Sequence, residues 1–294
     1  MDKTAAAKLR VMTSMFIYGT LGLFARSIPL PSSMTAMIRG LIGAPFLLLV
    51  LAIKREKLSW RDIRRSLPLL CLSGALLGGN WILLFEAYRY TTLATATLCY
   101  YFAPIILVAV SPLVFRERMT ARRALCVLAA LAGMVFVSGV AENGLPAVLE
   151  LRGVLLALGA ALFYACIVIL NKKLSGISAY DRTITQLAIS ALVLLPYNLL
   201  SGGFSGASLS GSALAMLLVV GVVHTGLAYL LYFGSMETLP SQTLAILSYI
   251  DPVVAVLLSA LVLREPLGWT GIAGAALILG AALVSELPEK EKKT

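Results

Sequence analysis

Residues 85–117 read FEAYRYTTLATATLCYYFAPIILVAVSPLVFRE, and residues 233–265 read FGSMETLPSQTLAILSYIDPVVAVLLSALVLRE. Laid over one another without a gap, at a shift of 148 residues, they match at Phe85/Phe233, Thr95/Thr243, Tyr101/Tyr249, Pro104/Pro252, Ser111/Ser259, Leu113/Leu261, Val114/Val262, Arg116/Arg264 and Glu117/Glu265. Apolar composition alone brings Leu over Leu and Val over Val. Tyr-x-x-Pro and Arg-Glu in register are harder to obtain by chance. A repeat at one fixed shift marks two copies of one structural unit, here residues 1–148 and 149–294.

Of the 294 residues 60% are hydrophobic, only 13% are charged, and the mean hydropathy is +0.93. A soluble chain carries roughly 25% charged residues, so this excess is not one soluble core. Apolar runs long enough to cross a hydrocarbon layer of about 30 Å read as spans at 9–26, 33–53, 67–88, 92–115, 121–140, 152–171, 182–200, 211–235, 241–263 and 269–287. Backbone N–H and C=O groups in lipid need internal partners, which continuous runs find only as α-helices. The expected fold is therefore an all-α integral membrane protein of ten transmembrane helices. Each copy holds five, an odd number, so the second enters the membrane from the opposite side. Two inverted five-helix repeats with a site near the bilayer midplane are a recurring transporter plan.

Lys and Arg set the orientation. Alternate segments carry Lys3, Lys8 and Arg10; the six basic residues from Lys54 to Arg65; Arg116, Arg118, Arg122 and Arg123; Lys172, Lys173 and Arg182; and Lys290, Lys292 and Lys293. Only Arg26, Arg89, Arg152 and Arg264 fall opposite, and Arg39 lies within a span. Both termini are thus expected in the cytoplasm. The net charge of +10 is an orientation signal rather than a nucleic-acid surface. The first 26 residues resemble a signal peptide, but their counterpart in the second copy reads them as a first helix. Cys71, Cys99, Cys126 and Cys166 show no ligand spacing, so no metal and no disulfide is expected. No Walker A, HExxH or GxSxG constellation occurs, so neither an ATP-driven pump nor an enzyme is indicated, and no cofactor is expected.

The pattern Asn80-Trp81 … Phe85-Glu86-Ala87 … Ala103-Pro104 … Arg116-Glu117, echoed by Tyr249-Ile250-Asp251-Pro252 … Arg264-Glu265, resembles the EamA-type branch of the drug/metabolite transporter superfamily. The likeness covers essentially the whole chain. It implies a helical basket with a central cavity, alternating access, and transport, mostly export, of amino acids, related metabolites or cationic compounds across a bacterial-type inner (plasma) membrane.

Polar groups at the wrong depth nominate the site, because an ionisable group at mid-membrane costs at least about 2.5–3.5 kcal/mol. Asp251 lies mid-span before Pro252. It reads as a cation or proton site, or as a carboxylate capping helix turns that the proline loosens. His224, the only histidine, reads as a proton-coupling group or as a neutral histidine bonded within the bundle. Asn80 lies near the centre of its span beside Trp81. Glu86 with Arg89 three residues on is an interfacial ion pair, or a gate or proton acceptor at the outer cavity. Arg39 pairs with Glu86 or with a substrate carboxylate, or snorkels to the surface.

Tyr18, Tyr101, Tyr164 and Tyr249 come near their span centres, although tyrosine ordinarily favours the interface. As a set they suit a cavity wall, offering hydroxyls to a polar solute and ring faces to a cation. Trp81, Tyr88, Tyr100, Tyr229 and Tyr232 extend it. Pro104 and Pro252, at matching mid-helix positions, permit bends suited to gates. Gly74-x-x-x-Gly78 and Gly271, Gly274 and Gly280 permit close helix approach, within the bundle or between the subunits of a homodimer. The expected function is a secondary-active exporter of amino acids or organic cations, proton-coupled, with lipid and a small-molecule substrate as its partners. The alternatives are a passive channel and a ligand-binding membrane scaffold or sensor.

Overall fold

The computed structural model describes residues 2–25, 27–91, 93–117, 119–137, 151–174, 176–202, 210–262 and 268–286. Arg264 and Glu265 of the repeat signature lie outside them, as do Arg26, Arg118, Lys290, Lys292 and Lys293. Among the described residues every regular element is helical. The helices are α1 (Lys3–Ala25), α2 (Ser32–Ile53), α3 (Trp60–Ala87), α4 (Leu93–Tyr100), α5 (Ala103–Phe115), α6 (Ala121–Val137), α7 (Leu151–Lys173) and α8 (Ala179–Leu200). They continue with α9 (Gly211–Val219), a π-helical segment (Val220–Leu227), α10 (Ala228–Ser235), α11 (Ser241–Leu247), α12 (Ile250–Val262) and α13 (Trp269–Glu286). Among the described residues six runs are long and apolar enough to cross a membrane, counting α9 to α10 and α11 to α12 as one each.

Local chemistry sets the ends. Ser59 and Ser178 accept the backbone N–H of Asp62 and Asp181 and so cap α3 and α8, each cap contributing about 1 kcal/mol. The sequence places the start of the third span at 67, but this cap begins α3 at Trp60, about two turns earlier.

Three expected spans are not single α-helices. The 92–115 span divides into α4 and α5, and 241–263 into α11 and α12. Pro104 and Pro252 therefore stand in the first turns of α5 and α12 rather than at mid-helix. Proline has no N–H to donate and its ring crowds the carbonyl four residues back, so the ladder lapses just ahead of each. There the last bonds tighten to the three-residue spacing. The Phe102 N–H donates to the Cys99 carbonyl at 3.2 Å, and the Tyr249 N–H donates to the Ile246 carbonyl at 3.2 Å. The 211–235 span is interrupted by the π segment, in which the Thr225 hydroxyl donates five residues back to the Val220 carbonyl at 3.0 Å.

The two halves interleave. α3 packs on α7 and α8, α2 on α8 and the π segment, α1 on α10 and α12, α5 on α7, and α6 on α13. Exchanging the halves turns the α3–α7 contact into α10–α1, α3–α8 into the π segment on α2, and α5–α7 into α12–α1. The α2–α8 and α6–α13 contacts map onto themselves.

The solvent rule of a soluble fold is inverted. Leu113, Leu200, Leu261, Trp269 and Leu283 are exposed, whereas Asn80, Asn171, Arg182, Gln186, Ser190, Asn198 and His224 are buried. Such an outside suits hydrocarbon, and such an inside requires a polar network.

Candidate functional site

The two helix breaks meet. The Tyr249 hydroxyl donates to the Tyr101 carbonyl at 3.0 Å, and the two rings lie 6.1 Å apart. The reciprocal bond is absent among the described residues. Instead the Tyr101 hydroxyl donates to Asp251 Oδ2 at 2.9 Å. The shift of 148 residues that superimposes Tyr101 on Tyr249 places Ala103 over Asp251. Asp251 is partly exposed while Tyr249 is buried.

From this crossing an aromatic row runs through the bundle. Tyr101 adjoins Tyr100 at 6.2 Å, Tyr100 adjoins Tyr164 at 5.9 Å, and Tyr164 stacks on Tyr232 at 6.5 Å. Tyr232 leads through Phe233 to Tyr229, and Tyr229 meets both Tyr18 at 5.7 Å and Trp81 at 6.3 Å. At its far end the Arg39 guanidinium lies over the Trp81 ring, 4.4 Å from its centroid. The four tyrosines expected from mid-depth placement thus belong to one row, and Tyr100, Tyr229 and Tyr232 are the links between them. Phe233 was missed because an apolar ring in an apolar span carries no signal.

Several expectations resolve differently. Arg39 does not meet Glu86. Glu86 Oε1 accepts from Arg89 at 3.0 Å and from the Tyr197 hydroxyl, so the i,i+3 pair forms and Arg39 turns to Trp81 instead. His224 and Asp251 each bond elsewhere and flank α1. The ideal Cβ of Gly19 in α1 lies 2.7 Å from the Asp251 carbonyl, and the next residue, Thr20, lies 2.8 Å from His224 Nε2. The Thr20 hydroxyl also lies 2.7 Å from the Ile17 carbonyl, to which it donates. Asn80 Nδ2 donates to the Ala160 carbonyl at 2.6 Å, which points its Oδ1 the other way.

A second polar assembly closes one end. Lys172 Nζ donates to Glu117 Oε1 at 2.9 Å, the Leu239 carbonyl at 3.1 Å and Ser241 Oγ at 3.0 Å. Both Glu117 oxygens accept from the Ser241 N–H. This ties the ends of α5 and α7 to the start of α11. Beside it Arg182, counted from sequence as an orientation charge at the start of a span, is fully buried, donating to the Asn171 and Phe233 carbonyls and to Glu237. Gln186 bridges Ser73 and Asn171. Arg182, Gln186, Ser190 and Asn198 recur at multiples of four along α8, a polar stripe at helical spacing that was available in the sequence.

Burial pushes the Glu117 carboxyl upward, but the Ser241 N–H and Lys172 outweigh it and hold the group below its ordinary range. A carboxylate lowered in the folded state contributes stability above its unfolded pKa and loses it as pH falls through the lowered value. The melting temperature is therefore expected to fall on acidification below the usual carboxylate range. Glu117→Gln should lower it at neutral pH by the equivalent of about 1–3 kcal/mol and flatten that acid limb. A melting series against pH for the two proteins in detergent checks this, and parallel curves would remove Glu117 as the titrating group.

An all-helical bundle with an apolar exterior, a polar interior and a carboxylate between two broken helices defines a membrane transport protein. The family model described as the EamA-like transporter family matches residues 7–139 and again 151–286. The chain belongs to this family. It is 31% identical to the uncharacterized transporter YxxF of Bacillus subtilis over 86% of this chain and 81% of that one. It is also 26% identical to a probable amino-acid metabolite efflux pump of Salmonella typhimurium, over 79% of this chain and 81% of that protein. Among solved structures, a crystal structure superposes with a TM-score of 0.86 over 96% of this chain and 98% of that chain at 21% identity, a likeness of fold.

Proposed function

We propose that the chain is a secondary-active exporter of small metabolites, amino acids or organic cations, that binds its solute near the bilayer midplane at Asp251 and the tyrosine row. The reading is carried by Asp251, a charge placed where two interrupted helices from opposite halves cross, beside π faces and hydroxyls that complement a cation. Ten spans in two inverted five-helix repeats, with both termini cytoplasmic, complete it. That topology draws support from the exchange symmetry of the helix contacts, from the double family match and from the basic-residue bias.

Alternating access is then a change in how α4–α5 and α11–α12 lean on their neighbours, with Pro104 and Pro252 at the breaks. The Glu117–Lys172–Ser241 assembly holds the cytoplasmic end shut in this conformation. His224 and Glu86 are the protonation candidates for coupling. His224 Nδ1 lies 3.5 Å from the Val219 carbonyl and its Nε2 lies 2.8 Å from the Thr20 hydroxyl, so a protonated ring can donate at both nitrogens.

The test is solute exchange in proteoliposomes. Purified protein should accumulate labelled amino acid or organic cation against a preloaded unlabelled pool, and a proton gradient should drive net flux that an uncoupling ionophore stops. Flux that never exceeds equilibration, with or without the gradient, would mark a passive channel. Binding without flux would mark a sensor.

A further inference from the structure

The face of the bundle where α2 gives way to α3 carries the densest run of positive charge in the chain. Residues 54–65 hold six basic residues, Lys54, Arg55, Lys57, Arg61, Arg64 and Arg65, against Glu56 and Asp62, a net charge of +4. Two members of the run are already engaged. Lys54 Nζ donates to the Tyr180 hydroxyl at 2.9 Å, and Asp62 accepts the Ser59 hydroxyl inside the cap of α3. The side chains of Arg55, Lys57, Arg61, Arg64 and Arg65 are exposed and form no hydrogen bond or ion pair among the described residues. Orientation in the membrane accounts for basic residues at this end. It does not account for the groove they surround.

The chain turns back sharply here. Arg55 takes a left-handed conformation, with φ at 58°. The Arg55 and Glu56 N–H groups donate to the Ala52 and Leu51 carbonyls at 3.1 and 3.0 Å, which closes α2. Residues 56–60 then return past the last turns of α2, and between the two lies a groove of about 320 Å³. Its apolar walls are Leu48, Leu51 and Ala52 on one side and Leu58 and Trp60 on the other, and the exposed Glu56 and Lys57 complete it. Trp60 is 65% exposed, and tryptophan in such a place marks the level of lipid headgroups. Leu48 stands five residues inside the end of α2 at Ile53, about 8 Å along the axis. An occupant therefore meets cations at one end of the groove and hydrocarbon depth at the other.

We infer that this groove binds an anionic phospholipid, with its phosphate drawn by Lys57 and the flanking Arg61 and the start of its acyl chain along Leu48, Leu51 and Ala52. Charge and depth together select that occupant. A soluble acidic peptide would satisfy the cations and leave the apolar wall uncovered. A neutral lipid would cover the wall and leave the cations uncompensated. A second copy of the chain, seated face to face on the same patch, would set a net +4 against a net +4. No residue of the aromatic row lies in the groove, so the assignment goes beyond the transport reading and does not depend on it.

The experiment uses the purified full chain, delipidated in neutral detergent, with phosphatidylglycerol and phosphatidylcholine of one chain length as probes. Retained lipid is counted by native mass spectrometry, and the melting temperature is followed as each lipid is added. Wild type should retain phosphatidylglycerol at about a tenth of the concentration that phosphatidylcholine requires, and should melt higher with it because the lipid binds the folded state. Lys57→Gln with Arg61→Gln should weaken that binding about twentyfold, since each basic residue near an anionic headgroup contributes about fivefold. Lys3→Gln with Arg10→Gln removes the same charge outside the groove and should leave the binding unchanged. Ala52→Trp keeps every charge, fills the groove from an exposed position, and should abolish the preference.

Equal retention of the two lipids by wild type overturns the inference. Equal weakening by the two charge pairs also overturns it, because the basic residues would then act only as a diffuse attraction to an anionic surface. Phosphatidylglycerol preference kept in Ala52→Trp removes the lipid from this groove. A dimer of wild type that Ala52→Trp dissociates would give the groove to a second copy instead. The comparison of lipids is read on wild type, so it decides the matter even if a variant fails to fold, and none of these outcomes touches the transport reading.

Discussion

Asp251→Asn is expected to lower solute counterflow about tenfold to a hundredfold while the protein melts no lower than wild type. The two halves of that expectation come from the same geometry. Asparagine keeps an oxygen where Asp251 Oδ2 accepts the Tyr101 hydroxyl at 2.9 Å, so the crossing between α5 and α12 retains its bond. What disappears is a carboxylate with no ion-pair partner among the described residues. Asp251 is only partly exposed, and neutral replacements of unpaired charges held largely away from water are often neutral or stabilising for the fold. A hydrogen bond from a ligand ammonium to a carboxylate contributes about 1.5–3 kcal/mol, which gives the range in transport. Counterflow and detergent melting on the same preparation separate the roles. Normal counterflow would remove Asp251 from the site. A large fall in melting temperature would make it the structural cap of α12 that the sequence also allowed.

Asp251 was legible because a lone carboxylate in a long apolar run violates the energetics of the bilayer, whatever surrounds it. The tyrosines were legible for the same reason, and the repeat paired Tyr101 with Tyr249 before any contact was visible. The breaks in the fourth and ninth spans were not, although Pro104 and Pro252 were seen. Proline weakens a ladder, but whether the helix bends or restarts depends on what the freed carbonyls meet, here a tyrosine hydroxyl from the other half. Partners across half the chain were equally hidden. Arg39 had two charged partners available in sequence terms and took Trp81, because Arg89, one turn beyond Glu86, already held that carboxylate. Lys172 and Arg182 counted as orientation charges, and their depth in the polar assembly shows that the positive bias records only which end a cation lies at. A stripe at fourfold spacing on α8 was one sequence signal for that assembly, and the repeated Arg-Glu pair ending at Glu117 was another.

Gly74 and Gly78 carry the second large effect, and it falls on stability. The sequence motif left two uses open, inside the bundle or between subunits. The contacts place both glycines against α8. A Cβ on Gly74 would stand 2.7 Å from Ile189 Cβ and 3.1 Å from the Gln186 carbonyl, and one on Gly78 would stand 2.9 Å from Val193 Cβ and 3.0 Å from the Ser190 carbonyl. Branched side chains and backbone do not yield at those distances, so even alanine must push the helices apart. Gly78→Ala is expected to cost about 1–3 kcal/mol, the usual range for overpacking a filled interior, and Gly74→Leu with Gly78→Leu should yield no monodisperse protein. Gly280 faces open space within 4 Å, so Gly280→Ala supplies the control and should melt as wild type does. The separation also has a direction. Asn80 and Trp81 follow Gly78 on α3 within one turn, so moving α3 off α8 displaces the ring on which Arg39 lies. Gly78→Ala should therefore weaken ligand stabilisation as well as lower the melting temperature, whereas a purely stabilising contact elsewhere would lower the melting temperature alone. Measuring both in detergent, with and without the bound amino acid, distinguishes a glycine that only lets two helices meet from one that also sets the width of the site.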